Sequence, residues 1–512
     1  MEEHVLKELR AARSAAQEMG GAERVQKVRA AGKLPVRERL EILFDAGTFE
    51  EIGLLAHSQH PGLVKRTPAD GVITGCGQID GRRVMVMADD PSVLAGTRGR
   101  VAEEKLIRLR SLALRERLPL VMLNEAGAAR VQETNGAYSA GLGGGFEQHF
   151  LLSGVVPQVS VHMGASFGGP SFVGSMCDYV AMVKGTGFMG MSGPPIVKVG
   201  IGAEHTSGEI GGPEMAMRGT GQIDYLGEDE ADALKSVRRY LSYLPSNCNE
   251  RAPVARVRAA LCESEQGALA LLKLVPEIHR QAYSMHRLLQ LIVDEDSLFE
   301  MRAEYGRNLI TALARIEGQP IGLVANNPSQ RAGVLDDKAA IKARRFIDIC
   351  DAFHIPLVFF CDTPGFLVGP EVEKQRMVSL CGRLMMSLIS ASVPKVQIVV
   401  RKAVGMAYIA MCGRACRPNA IVAWPTAFFD VMGPEAAVML AHEKEIKAAP
   451  DPEQRKQEYL KKFEIAASAY ATAGLGLIDD VIAPQESRDL IARTIRRAAH
   501  STTSCFKRRI EP

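Results

Sequence analysis

Short apolar runs bounded by turn residues alternate along this chain with longer stretches that are apolar on one face only. Val84–Ala88 is a run of strand length, and a loop ending in Ala95-Gly96 follows it. Val101–Arg115 then places its apolar residues at helical spacing, and LPLVMLNE, around Leu118–Glu125, reads as a buried strand. A further helical stretch leads to a third strand, VVPQVSVHM, which ends in glycines before a new helix. The same order returns later: Ile321–Ala325, a loop ending in Ala332-Gly333, a helix over Lys338–Ala352, the strand IPLVFFCD at Ile355–Asp362, and the strand VPKVQIVV. Strand, helix and strand in alternation predict stacked βαβ units, an α/β architecture.

The recurrence is a true repeat. Gly81 matches Gly318, Pro91 matches Pro328, Ser92 matches Ser329, Gly96 matches Gly333, Lys105 matches Lys342 and Gly168 matches Gly405, all at a constant offset of 237. The chain is therefore expected to hold two similar domains, residues 1–250 and 251–512. A polar hinge is expected around Asn247–Val254, and a helical arm rich in Lys, Arg and Glu up to about Lys65.

Composition narrows the function without naming it. The 512 residues carry a net charge of +3 and are 46% hydrophobic, so no bulk electrostatic drive toward nucleic acid or membrane is expected. No apolar stretch has the length of a membrane span, and Met1–Gly20 lacks the apolar core of a signal peptide, so a cytoplasmic protein is expected. The ten cysteines are scattered, without paired metal-ligand spacing, and read as reduced core residues; no metal site is expected. The histidines form no cluster and read as surface or core residues, and the basic stretch Lys507–Arg509 reads as a solvated tail.

Candidate chemistry sits at two strand-to-helix turns in equivalent places of the repeat, VHMGASFGGPS (Val161–Ser171) and RKAVGMAYIAM (Arg401–Met411). The first N–H groups of a helix have no partner within it and attract negative charge, and glycine lets a ligand oxygen come close. Two such turns suggest two oxyanion holes. Pro170, suited to a helix start, cannot donate, so the first hole would use the amides of Gly168 and Gly169; the second has Gly405, Met406 and Ala407. Arg130 and Glu133 in NEAGAARVQE are read as facing solvent or forming an ion pair, and Asp362–Gly365 (DTPG) as turn residues.

At these residues the chain resembles the carboxyltransferase (β) subunits of propionyl-CoA, methylcrotonoyl-CoA and related biotin-dependent acyl-CoA carboxylases. NEAGAARVQE is similar to that family's N-D-S-G-G-A-R-I-Q-E; DGVITGCGQIDGR, MVKGTGFMGMSGPPIVK, CDAFHIPLVFFCDTPGFLVG and WPTAFFDVMG also match its pattern. The resemblance implies a tandem duplication of a crotonase-like (ClpP/crotonase) ββα-superhelix domain. It implies a transfer of a carboxyl group from carboxybiotin, carried by a biotinylated biotin-carboxylase α subunit, to the α-carbon or vinylogous γ-carbon of an acyl-CoA. Acyl-CoA would bind mainly on the first domain and carboxybiotin on the second, in a dimer-based hexamer with the active site at a dimer interface. One hole would hold the thioester enolate and the other the biotin ureido oxygen, and biotin itself would take the proton. Ala95, Gly96, Ala332, Gly333, Tyr408 and Ile409 are the expected substrate-binding positions.

Departures from the family pattern bear on the substrate. Met406 stands where many members have a second Gly, Pro170 where Ala is common, and Ile409 where propionyl-type members have Asp. No A-M-K-M biotinylation motif is present, so biotin would reside on the partner. The alternatives are a carboxyltransferase subunit of a biotin-dependent acyl-CoA decarboxylase, a non-catalytic scaffold of the same fold, and a simple hydratase or isomerase, which would want a carboxylate beside the hole.

Overall fold

Two buried lysines show how deeply the repeat runs. Lys105 donates to the carbonyls of Ala69 (2.7 Å) and Val72 (2.5 Å), and its repeat mate Lys342 donates to Leu309 (2.8 Å), the mate of Val72. Each ammonium therefore closes off the carbonyl that opens one strand, from the core side of the helix packed upon it. The computed structural model describes residues 3–141, 143–499 and 510–512, so the Lys507–Arg509 stretch and Cys505 lie outside the described residues.

The chain divides into two compact units, one ending at Arg251 and the other beginning at Ala252, with the last residues joining the first unit. There Ile510 exchanges hydrogen bonds with the Ser153 hydroxyl. Helices Glu3–Gln17, Ala22–Ala30 and Val36–Leu43 form the expected N-terminal arm.

In the first unit the strands are β1 (Glu50–Ile52), β2 (Val72–Ile79), β3 (Arg82–Asp89), β4 (Leu120–Asn124), β5 (Gln158–His162), β6 (Tyr179–Val183) and β7 (Tyr225–Gly227), hydrogen-bonded in chain order. β1, β2 and β3 are antiparallel, whereas β3 to β7 run parallel. Parallel strands must be joined by crossovers, and helices such as Arg100–Glu116 provide them. The helix buries Leu106, Leu109 and Ala113 against Met85, Met87 and Leu120.

The second unit repeats this with β8 (Phe299–Met301), β9 (Leu309–Ile316), β10 (Gln319–Asn326), β11 (Leu357–Thr363), β12 (Lys395–Val404) and β13 (Ala420–Ala423). β14 (Phe428–Asp430) pairs the end of β12, and β15 (Asp480–Val481) flanks β13. β9 and β10 copy the bounds of β2 and β3 at the offset of 237, and β11 and β12 start at the offset of β4 and β5. The fold is the expected crotonase-like α/β duplication. Helix Asp337–Ala352 is the counterpart of Arg100–Glu116. Trp424, the sole tryptophan, is buried just after β13 and donates its indole N–H to Ser487 (3.0 Å).

Between β3 and its helix, and between β10 and its helix, the backbone makes the same left-handed turn. Leu94, Ala95 and Gly96 have φ of 46°, 55° and 68°; Arg331, Ala332 and Gly333 have 47°, 55° and 77°. A Cβ on Gly96 would lie 2.2 Å from the Glu125 carbonyl oxygen, and one on Gly333 would lie 2.5 Å from that of Asp362, the residue 237 further on. Only glycine fits either place.

Candidate active site

The first strand-to-helix turn follows β5, whose residues are all buried. The chain leaves the sheet through Gly164 and turns at Gly168, which has φ 59° and ψ −117°, a conformation closed to other residues. Helix Gly169–Ser175 begins there, with Pro170 second. A strap holds the turn: Gly168 donates its amide to the Gly190 carbonyl (3.1 Å), Gly190 donates to the Ser171 hydroxyl (3.0 Å), and that hydroxyl donates to the Ser166 carbonyl (2.7 Å). This narrows the expectation of two donors, because the Gly168 amide is already engaged. Gly169 is the donor left: it is exposed, a Cβ there would meet nothing within 4 Å, and as the first helical residue it has no acceptor within the helix. Gly169 and Pro170 form part of the wall of a cavity of about 670 Å³ within the first unit.

The second turn follows β12, also buried along its whole length. Gly405 has φ 60°, matching its mate Gly168, and a Cβ on it would come within 3.0 Å of the Val431 carbonyl oxygen. Helix Gly405–Ala410 follows. Met406 is 60% exposed, so its side chain points away from the sheet, while Ala407 is wholly buried. Tyr408 and Ile409 are half-buried. The Tyr408 ring meets Phe429 edge-on at 5.4 Å, and burial pushes its phenol well above the usual range. Gln397, on β12, donates to the Met411 carbonyl (2.9 Å) and so fixes the far end of this helix to the sheet.

Of the other expected positions, Ala95 and Ala332 are exposed at the tips of the two left-handed turns, while Gly96 and Gly333 are buried beneath them. The Ala95 carbonyl accepts the Gly127 amide at 3.2 Å, which ties the first tip to the loop after β4.

Charge clusters lie behind both turns. Glu125, directly after β4, pairs with Lys33 (2.6 Å) and with the buried Arg39 (2.7 Å), which also pairs with Glu230. Arg130 does not face solvent: it is buried and pairs with Asp70 (2.6 Å) and Glu133 (2.7 Å). The reading of DTPG as turn residues is corrected for Asp362, which is fully buried inside β11. Its carboxylate accepts from Arg401 Nε (3.1 Å), Lys402 Nζ (2.7 Å) and the Lys402 amide (3.2 Å), pinning β12 three residues before Gly405. Burial depresses the Lys402 ammonium against the pull of Asp362.

Two histidines behind the first turn are weakened as bases by burial. Burial lowers His162, at the end of β5, to about 4, and His149 to about 3. Both are neutral and serve packing, as do the buried cysteines, whose thiols burial pushes up. The turns offer backbone donors, and neither of these two histidines adds a charge at neutral pH. Lys105, Arg110 and Lys342 went unremarked as chemistry in the sequence. The signal was there: Lys105 and Arg110 fall on the same helical face as Leu106, Leu109 and Ala113.

The carboxyl transferase domain family matches residues 27–510. The chain belongs to that family. The carboxyltransferase is 36% identical to the propionyl-CoA carboxylase carboxyltransferase subunit of Haloferax mediterranei, over 96% of this chain and 95% of that one. It is 37% identical to the methylmalonyl-CoA decarboxylase subunit alpha of Propionigenium modestum, over 92% and 91%. Its fold superposes with a TM-score of 0.92 on the transcarboxylase 12S crystal structure, a hexamer solved with methylmalonyl-coenzyme A bound, at 34% identity and with 98% and 96% of the two chains covered. The expected family, the duplicated fold and the carboxyltransferase activity all stand.

Proposed function

We propose that this carboxyltransferase moves a carboxyl group from carboxybiotin, carried by a biotinylated partner subunit, to an acyl-CoA. The observation that carries the reading is the duplicated turn: Gly168 and Gly405, at the ends of equivalent strands, both have φ near 60°, and each leads into a helix. In the first unit the amide of Gly169, an exposed residue in the wall of a cavity of about 670 Å³, receives the thioester oxygen of the acyl-CoA as it gains negative charge. Gly168 acts by shaping the turn. In the second unit the amides of Met406 and Ala407 receive the ureido oxygen of biotin, and Gly405 gives the backbone its bend. Biotin supplies the carboxyl group and the proton acceptor when bound, which suits a site whose histidines are neutral. Asp362, through Arg401 and Lys402, keeps the second turn in place.

The tips at Ala95-Gly96 and Ala332-Gly333 border the two substrates, and Tyr408 and Ile409 face the reacting pair. Exposed apolar side chains in both units, Val199 and Ile201 in one and Val368 and Val431 in the other, support self-association into a dimer-based hexamer. The relative from Propionigenium modestum supports a second reading, in which the same site runs the transfer in reverse.

The deciding experiment mixes the purified chain with a biotinylated α subunit, ATP, labelled bicarbonate and acetyl-, propionyl-, butyryl-, methylcrotonoyl- and geranoyl-CoA. Label is expected on one or more acyl-CoAs. Ala407→Pro, which deletes one amide, is expected to lower the rate by about 10²–10³, the usual effect of losing one oxyanion donor. No transfer to any thioester, with the α subunit demonstrably carboxylated, would overturn the reading.

A further inference from the structure

The cavity beside Gly169 is walled in part by apolar side chains. Ile107, Phe146 and Phe172 line it, and the two phenylalanine rings meet edge-on at 6.3 Å. Such a wall suits an aliphatic stem. Arg110 also contributes to the wall, and nothing in the mechanism above uses it.

Arg110 is 1% exposed, so its guanidinium has lost nearly all its water. The other buried guanidinium groups of this unit are compensated at short range. Arg39 holds Glu125 and Glu230 at 2.7 Å, Arg130 holds Asp70 at 2.6 Å, and Arg98 holds Asp89 at 2.9 Å. Arg110 is not compensated in this way. Its Nη1 reaches Glu103 at 3.3 Å and Gln148 at 3.4 Å, both beyond the usual hydrogen-bond range, and its Nε has no partner. Glu103 is itself a third exposed and can turn outward to water. Burial lowers Arg110 from its ordinary value, in keeping with a cation short of acceptors, and the cation in turn helps keep the neighbouring His149 neutral. Gly145 leaves the space the guanidinium needs, since a Cβ there would lie 2.6 Å from Nη1. A buried charge without a close partner is costly unless something supplies one.

We propose that Arg110 determines acyl specificity, and that the preferred acyl-CoA carries a carboxylate at the far end of its acyl chain. The stem lies along Phe146 and Phe172, and the terminal carboxylate takes the donors that Glu103 and Gln148 satisfy poorly. This rests on the reading that the cavity takes the acyl-CoA. Of the other charged groups on the wall, Arg100 and Glu104 are exposed to water, which leaves Arg110 the buried cation without a short-range carboxylate. Arg98 is taken by Asp89, and Glu133 is taken by Arg130 and the Ser58 hydroxyl.

The test compares two thioesters of equal carbon count, glutaryl-CoA and pentanoyl-CoA, by titration calorimetry on the full chain, with carboxylation followed in parallel. Wild type is expected to bind glutaryl-CoA at least about tenfold more tightly, a modest return for a charge-assisted pair out of water. Arg110→Met is expected to reverse the order by raising the glutaryl-CoA Kd alone, and Arg110→Lys to restore part of the preference. A role confined to holding the helix would shift both thioesters together. Equal or tighter binding of pentanoyl-CoA by wild type, with either thioester carboxylated, overturns this inference and leaves the proposed activity intact. Failure of both thioesters to bind overturns both. The wild-type comparison decides even where a variant fails to fold.

Discussion

Lys105 and Lys342 are charged groups placed where hydrocarbon would be cheaper. Each is lowered by burial to about 8 from an ordinary 10.5, and each is retained for a strand-opening carbonyl. The folded chain therefore holds fewer protons on these lysines than the unfolded chain between about pH 8 and 10.5. Below pH 8 both states are protonated and the full burial penalty applies; it is relieved as pH rises through that window. Tyrosines and cysteines raised by burial push the other way, so a difference measurement is needed. Urea unfolding of wild type and Lys342→Met at pH 7 and pH 10 is expected to show wild type gaining on the variant as pH rises. A difference that stays constant would show that Lys342 keeps an ordinary affinity for its proton. Asp362 is the opposite kind of residue, a buried carboxylate with two cations upon it. Its sequence setting, Asp-Thr-Pro-Gly, imitates a turn, and only the register of β11 reveals that it lies inside the sheet.

At the scale of elements, two kinds of glycine must be told apart. Gly333 has φ 77° and a carbonyl oxygen 2.5 Å from where a Cβ would sit, whereas Gly169 has open space. Gly333→Ala is expected to destabilise the fold by about 2 kcal/mol or more, from the strained φ and the clash together, read as a fall in the urea midpoint. Gly169→Ala is expected to leave the midpoint within about 0.5 kcal/mol of wild type and to reduce carboxylation, because its methyl enters space the substrate needs. Equal midpoints for the two variants would refute the distinction. Much of this layer was legible in the sequence. A constant offset of 237 places β9 and β10 on β2 and β3 residue for residue, because ladder register permits no slip without turning every side chain over. The two glycine turns were legible too, because apolar strands end in small residues at the same register of the repeat. What the sequence could not show was the strap from Gly168 to Gly190, which joins residues brought together only by the parallel pairing of β5 and β6. Nor could it show that Arg110 faces a cavity, because helical spacing gives the face and not what lies opposite.

For the whole molecule, exposed apolar side chains are the most telling surface feature. Val199 is 86% exposed at the end of helix Pro194–Ile201, with Ile196 and Ile201 also exposed. Leaving such a patch in water is unfavourable, and burial against a second copy would offset it at roughly 25 cal/mol per Å². Val199→Glu is expected to lower the mass seen by analytical ultracentrifugation without changing the circular dichroism spectrum. An unaltered oligomer would place the contact elsewhere.

The single tryptophan lies buried in the second unit, its indole held by Ser487. Intrinsic tryptophan emission from this chain is therefore a one-sided reporter: it registers the loss of structure around β13 and is blind to the first unit. Tyrosine is spread evenly, five in each unit, with Tyr179 and Tyr240 stacked 4.4 Å apart in the core of the first. Excitation at the red edge of the ultraviolet band, which spares tyrosine, would thus follow the second half of an ancient duplication alone, without a label.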